Sequence, residues 1–470
     1  MVRGKVEAIC DNILNTRFED IDRATVDNTK SRIIDVFGDM IGGAVGFGNQ
    51  ALVKMLQNWS GKKEASIIGY GIKVPAANAA MANSIFCRSF DWEPLVVIID
   101  GKRYPSHTSC TTVPTAITMG EALGISGKEL ITALVVGDDL SARLSSANEH
   151  PWNVSMQNRL NFTTSQPSRP GISLGMVTSF GATAIAGRLL GLDRKQLVNA
   201  FGVVLDATGG NGSGIWEGAT TFKMNQGATA RNGVVAALLA KGGWYAGDDP
   251  LFGRDGFFGA RGCDHPDILT RELGKKFYVE VVFKPYPGGR PTHVPIDAAL
   301  TLRKKYNIDT DDIEEIIVHL SVPAKYGHYM RPYKVGEDPT ADALFSYKFS
   351  SASALYRNGA ISKYYTPDYI RDPKLQALIA KVRLGDSDKP EGAELELKMK
   401  DGRRLSEYVD KAIGEPTNPL CREFLLGKFN AQVEFSSMVS KKDAANLVAM
   451  IDKLEDVDNV QNLVRLAVKR

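Results

Sequence analysis

Apolar residues recur at helical spacing through roughly the first 270 positions, then give way to strand alternation after about residue 275, and one layer type cannot accommodate both patterns. In the first stretch Ile33, Ile34, Val36, Phe37, Met40 and Ile41 share a helical period. Ser126-Gly127-Lys128-Glu129 has the pattern of a capping box ahead of Leu130, Ile131, Leu134 and Val135, and Asp193-Arg194-Lys195-Gln196 repeats it before Leu197, Ala200 and Phe201. Small residues from Ala76 to Ala82 and from Ala182 to Gly187 suit helices that pack closely. Further on, Glu315 to Ser321 has strand composition. Leu395, Leu397 and Met399 alternate with Glu396 and Lys398 and run into Asp401-Gly402, a hairpin turn signal. Helical pattern appears from Ile296 to Lys305 in the same region and returns from Lys441, with Ala445, Leu447, Val448, Met450, Ile451 and Leu454. The predicted fold is therefore mainly α with a smaller α+β domain. Residues 1–273 form the helical domain, 274–408 an α+β lid, and 409–470 a segment returning to the helices.

A chain of 470 residues exceeds what one hydrophobic core usually organises, which agrees with two domains. With 43% hydrophobic and 24% charged residues the composition is that of a soluble globular protein, and a net charge of +3 points to neither nucleic acid nor membrane. The five cysteines, Cys10, Cys87, Cys110, Cys263 and Cys421, are scattered and include no CxxC pair, which argues against a structural zinc site and a disulfide framework. The N-terminus lacks an apolar signal region. The longest uncharged stretch, Pro170 to Gly187, is nearly half Gly, Ser and Thr, poor material for a membrane span. A cytoplasmic location is expected.

Gly209-Gly210-Asn211-Gly212-Ser213-Gly214 fits neither GxxxxGK[ST] nor a GxGxxG after a strand, so it reads as a loop rather than a phosphate cradle. Ser106-His107-Thr108-Ser109-Cys110 precedes a helix-like run, where His107 can exchange a proton with a ligand at the helix start; a packing histidine is the alternative. Nothing specific supports His107 and Cys110 as a nucleophilic pair. Lys223 and Gln226 stand among small and polar residues in Phe222-Lys223-Met224-Asn225-Gln226-Gly227. Lys284-Pro285-Tyr286-Pro287-Gly288-Gly289-Arg290-Pro291-Thr292-His293 puts a lysine, an arginine and a histidine on a proline-stiffened turn, able to hold carboxylates or simply to be an exposed basic turn.

In order and spacing these segments resemble the MmgE/PrpD family, whose activities include 2-methylcitrate dehydration, cis-aconitate decarboxylation and iminodisuccinate epimerisation. The resemblance is carried by Ser66-Ile67-Ile68-Gly69-Tyr70-Gly71, Ala76 to Asn83, Ser106-His107 before Val113-Pro114, Phe180 to Ala184 with Arg188 to Leu192, Lys223 with Ala230-Arg231-Asn232-Gly233, and the Lys284 turn with Thr292-His293 and Ile296 to Ala299. It implies a helical domain built from both chain ends under an α+β lid, a homodimer, a small carboxylic-acid substrate, and neither metal nor organic cofactor. It also implies His107 for proton transfer, Asp91 to orient it, Lys223 to hold a carboxylate or share in proton transfer, and Lys284 and Arg290, with His293, to bind carboxylate from the lid.

Departures stand beside these matches. Ser89-Phe90-Asp91-Trp92-Glu93 replaces an Asp-Phe-Asp-Asp-Thr segment. A Phe-His-Pro motif is missing, so the second histidine is absent unless His150 supplies it. A tyrosine near Phe349 is replaced, with Tyr347 two residues away. Trp92 and Trp152 either shape the pocket or pack. The expected activity is a cofactor-independent lyase, a dehydratase or hydratase of a small hydroxy-polycarboxylic acid. Isomerisation or epimerisation, decarboxylation, and a silent carboxylate-binding relative are the alternatives.

Overall fold

The computed structural model describes residues 4–104, 106–147, 174–209, 213–259, 262–321, 324–325, 327–415 and 417–469. His150, Trp152 and the centre of the glycine-rich segment at 210–212 lie outside the described residues.

The N-terminal half is a pile of helices: α1 (Lys5–Asn15), α2 (Arg23–Gly43), α3 (Asn49–Trp59), α4 (Ala76–Arg88), α5 (Ser109–Leu123), α6 (Gly127–Ser146), α7 (Leu174–Leu189), α8 (Arg194–Ala207) and α9 (Met224–Lys241). Side chains begin several of them. Asp22 accepts from the Thr25 amide at 2.9 Å, Ser126 accepts from Glu129, and Asp193 with Gln196 makes both bonds of a capping box. The small-residue run from Ala182 acts as anticipated, and a glycine of α2 outside both runs makes another close crossing. A Cβ on Gly43 of α2 would overlap the Phe86 carbonyl of α4, and one on Gly233 of α9 would overlap Ala182 of α7. Pro114 inside α5 removes the donor for the Cys110 carbonyl, and Ser84 of α4 supplies one at 2.5 Å.

Two small sheets interrupt these helices. The strands β1 (Ala65–Ile67) and β2 (Ile72–Val74) form a hairpin; β3 (Leu95–Ile99) pairs antiparallel with β4 (Lys102–Tyr104) and with β5 (Val281–Val282). The third sheet has the order β7-β6-β8-β9, from β6 (Ile313–Leu320), β7 (Val382–Asp386), β8 (Ala393–Met399) and β9 (Arg404–Val409). In it β6 alternates buried and partly exposed residues, and β8 turns into β9 through Asp401-Gly402, where Gly402 has φ +87°. Helices α10 (His293–Tyr306) and α11 (Tyr347–Arg357) join this sheet in one hydrophobic core, which includes Ile296, Leu302, Ile316, Phe349 and Leu397.

Two further helices, α12 (Arg422–Ser436) and α13 (Lys441–Asp452), bring Phe429, Val433, Leu447 and Ile451 into the core that holds Phe37, Ile131 and Phe180. Gly38 of α2 is where Phe429 seats. Among the described residues no helix is long and apolar enough to cross a membrane.

Candidate active site

Three parts of the chain converge where α4 ends: the segment 88–93, the start of α5, and the turn at 284–289. The turn is stitched to the first part and to the lid, since the Gly288 amide donates to Phe90 O at 3.0 Å and the Gly289 amide to Leu344 O at 2.9 Å. Gly288 has φ +95°, and a Cβ there would stand 2.5 Å from the Leu344 carbonyl.

At the centre His107 Nδ1 lies 2.8 Å from Glu93 Oε1. Arg88 donates to the same oxygen at 2.8 Å and is also paired with Asp91. Lys284 Nζ donates to both the carbonyl and Oδ1 of Asp91, each at 2.6 Å. Asp91 adopts φ +48°, a left-handed conformation uncommon for aspartate, which turns its carbonyl and its carboxylate toward one ammonium. The sequence pointed to Asp91 as the partner of His107; the geometry gives that contact to Glu93, because Arg88 and Lys284 already occupy Asp91.

Burial sets the electrostatics. Loss of water holds His107 down, to about 4, with Arg88 adding to the effect and Glu93 opposing it, although 14% of the side chain stays exposed. Burial alone would raise Glu93, but Arg88 and Lys284 outweigh it and hold the carboxyl well below its usual range. Burial lowers Lys284 to about 7 against the opposing pull of Glu93. A neutral imidazole with Nδ1–H given to a carboxylate leaves the lone pair on Nε2, for which no hydrogen-bond partner is found among the described residues.

Lys223 stands beside this cluster. Its Nζ donates to Phe47 O at 2.6 Å and Asn49 Oδ1 at 2.9 Å, and Asn49 donates in turn to Ser89 Oγ at 2.8 Å, next to Arg88. The Arg88 guanidinium also stands 5.6 Å from the centre of the Phe222 ring. Burial lowers Lys223 to about 8, with Asp338 opposing. Gln226 is buried, and its Oε1 has no partner among the described residues.

Other expected site residues are engaged elsewhere. Arg290 spends its donors on Glu415 (3.2 and 3.0 Å), Ile413 O, Ala412 O and His293 Nδ1. His293 is fully buried, receives Arg290 at Nδ1 and lies 3.2 Å from Gly288 O through Nε2, so this pair braces the turn and leaves no donor for a carboxylate. Trp92 is buried beneath Lys428, whose Nζ lies 5.1 Å from the indole ring and donates to Trp92 O at 2.6 Å, and its side chain packs in the core shared with Phe90 and Phe222. Tyr347 gives its hydroxyl to Ala324 O at 2.7 Å. With Tyr329, Arg331 and Lys348 it lines a lid recess of about 450 Å³.

Three residues of the site escaped the sequence reading. Glu93 and Arg88 flank Asp91, and their charges were the available signal. Tyr329 comes from the lid, and a Cβ on Gly289 would overlap its hydroxyl. Glu93, His107 and Cys110 also bring one ligand atom each within 4.8 Å of one another, the described residues' one grouping of metal-ligating type.

The chain matches the MmgE/PrpD N-terminal domain over residues 7–266 and the MmgE/PrpD C-terminal domain over residues 286–456. It is 24% identical to a cis-aconitate decarboxylase of Mus musculus across 99% of this chain and 94% of that protein. Identity to the Homo sapiens cis-aconitate decarboxylase is 25%, covering 84% and 80% of the two chains. A cis-aconitate decarboxylase of Aspergillus terreus is 23% identical, covering 99% and 97%. Matched over most of its length by both domains, this chain belongs to the MmgE/PrpD family.

Proposed function

We propose that this protein is a lyase that moves a proton at the carbon beside a carboxylate of a small hydroxy-polycarboxylic acid, dehydrating it or hydrating the unsaturated product. The observation that carries this reading is the Glu93–His107 pair set among Arg88, Lys284 and Lys223. Neutral His107 takes the proton at Nε2, and Glu93 stabilises the imidazolium that forms. Negative charge then grows on the neighbouring carboxylate, where buried ammonium groups are worth more than they are in water. The electron pair left on carbon forms the double bond as hydroxide departs. In a syn elimination the same imidazolium returns its proton to the departing hydroxide, which leaves as water. One histidine thus serves as base and then as acid.

A second reading, decarboxylation of an unsaturated tricarboxylate, is favoured by what the relatives are called. Loss of carbon dioxide leaves a carbanion that needs a proton donor. An imidazole held neutral is set for the opposite step, so we place this reading second.

Incubating the full chain with a panel of hydroxy-tricarboxylates and with cis-aconitate separates the two. The first reading expects an unsaturated acid absorbing in the ultraviolet, with no carbon dioxide. Carbon dioxide from cis-aconitate would transfer the assignment to the second, and no turnover of any member would contradict both.

A further inference from the structure

We propose that Glu93, His107 and Cys110 form a binding site for a borderline-soft divalent cation, zinc by the chemistry of its donors, and that filling it switches off proton transfer by His107. A carboxylate oxygen, an imidazole nitrogen and a sulfur lie within 4.8 Å of one another. This mixed donor set is one that zinc accepts with three protein ligands and an open fourth position.

A second observation points to a missing partner. Glu93 is fully buried, yet its Oε2 has no hydrogen-bond partner among the described residues; Oε1 alone takes Arg88 and His107. Such an atom costs free energy unless something fills the place; the Cys110 thiol lies within hydrogen-bonding reach of Glu93, and burial with that carboxylate keeps it protonated until a cation displaces the proton. Cys110, also fully buried, has no part in the proposed reaction. It lies in the first turn of α5, where the backbone returns to Thr108 O and brings Sγ 3.1 Å from the His107 carbonyl.

The surrounding charge permits a cation. Arg88 and Lys284 are balanced by Asp91 and Glu93, and Lys428 faces Asp35 and Asp39, of which burial holds Asp39 well above the usual carboxylate range, so the cluster is close to neutral and a thiolate would supply a cation with counter-charge. On coordination the Cys110 thiol gives its proton to solvent. The imidazole gives a lone pair to the metal. Coordination through Nε2 removes the base, and coordination through Nδ1 breaks the bond to Glu93, so either geometry silences His107. The inhibitory half of this proposal rests on the proton transfer proposed above; the binding half does not.

Cobalt(II) titrated into the full-length protein tests binding without any need for turnover. A sulfur-to-cobalt charge-transfer band in the near ultraviolet is expected, saturating at one equivalent and absent from Cys110→Ser, which binds zinc at least about tenfold more weakly. Cys110→Ala replaces it if the serine variant does not fold. No band in the wild type, or the same band in the variant, would overturn the site. Where turnover is measurable, zinc should slow the wild type and spare the Cys110 variant. Binding without inhibition would overturn the switch and leave the site standing.

Discussion

Glu93 Oε1 and His107 Nδ1 meet at 2.8 Å across fourteen residues of chain, with the whole β3–β4 hairpin folded between them. The hairpin brings the start of α5 back to the end of α4, so a short stretch of sequence supplies both members of the pair. Replacing Glu93 with Gln keeps the shape and removes the charge that faces the imidazolium. We expect kcat to fall by about 10²–10⁴-fold with KM little changed. Steady-state kinetics on a variant shown by circular dichroism to retain its helices will check this.

The pH profile should carry the mark of burial. His107 is held down from its ordinary 6.5 to about 4, so the folded protein binds this proton less readily than the unfolded chain does. Stability from this group is therefore complete above about 6.5 and is lost as pH falls toward 4. In activity, the acidic limb of kcat/KM should fall near pH 4 and not in the ordinary histidine range, since this ratio reports the free enzyme. An acidic limb at about 6.5 would show that His107 titrates as if exposed to water.

Lys223 makes the opposite limb. Its ammonium, lowered to about 8, is present below that pH and lost above it. KM for a polycarboxylate should rise as pH passes through that value. In Lys223→Met, KM at neutral pH should be about ten- to a hundredfold higher, as loss of a charged hydrogen bond worth about 1.5–3 kcal/mol implies. The variant should also lose the alkaline rise, which initial-rate measurements across pH will show.

Lys428 holds the floor of the site together. Its Nζ lies 2.8 Å from Asp35 and 3.4 Å from Asp39 while donating to Trp92 O, which fixes the peptide leading into Glu93. Lys428→Met leaves two buried carboxylates facing each other without a cation, and should cost about 3–5 kcal/mol in urea unfolding. Adding Asp39→Asn should return part of that loss.

Local pattern carried the architecture well. The Asp193–Gln196 box, the Asp401-Gly402 turn, the alternation through β8 and the small-residue helix crossings are properties of neighbouring residues, so a sequence can display them. The site depended on contacts between distant residues. Arg290 is taken up by Glu415, 125 positions away, and Lys284 by Asp91, 193 positions away. No period or motif announces either. Nothing local marks that Asp91 turns left-handed and leaves Glu93 for His107. The short strands β1 to β5 also went unforeseen: most span two or three residues, too few to show alternation, and β5 joins β3 from the far side of the helical region.

The central claim is that His107 moves a proton at the carbon beside a substrate carboxylate. Its most direct test is solvent deuterium incorporation at that carbon, followed by nuclear magnetic resonance for the wild type and for a folded His107→Asn variant. We predict exchange in the wild type and its loss in the variant. Equal exchange in both would contradict the account.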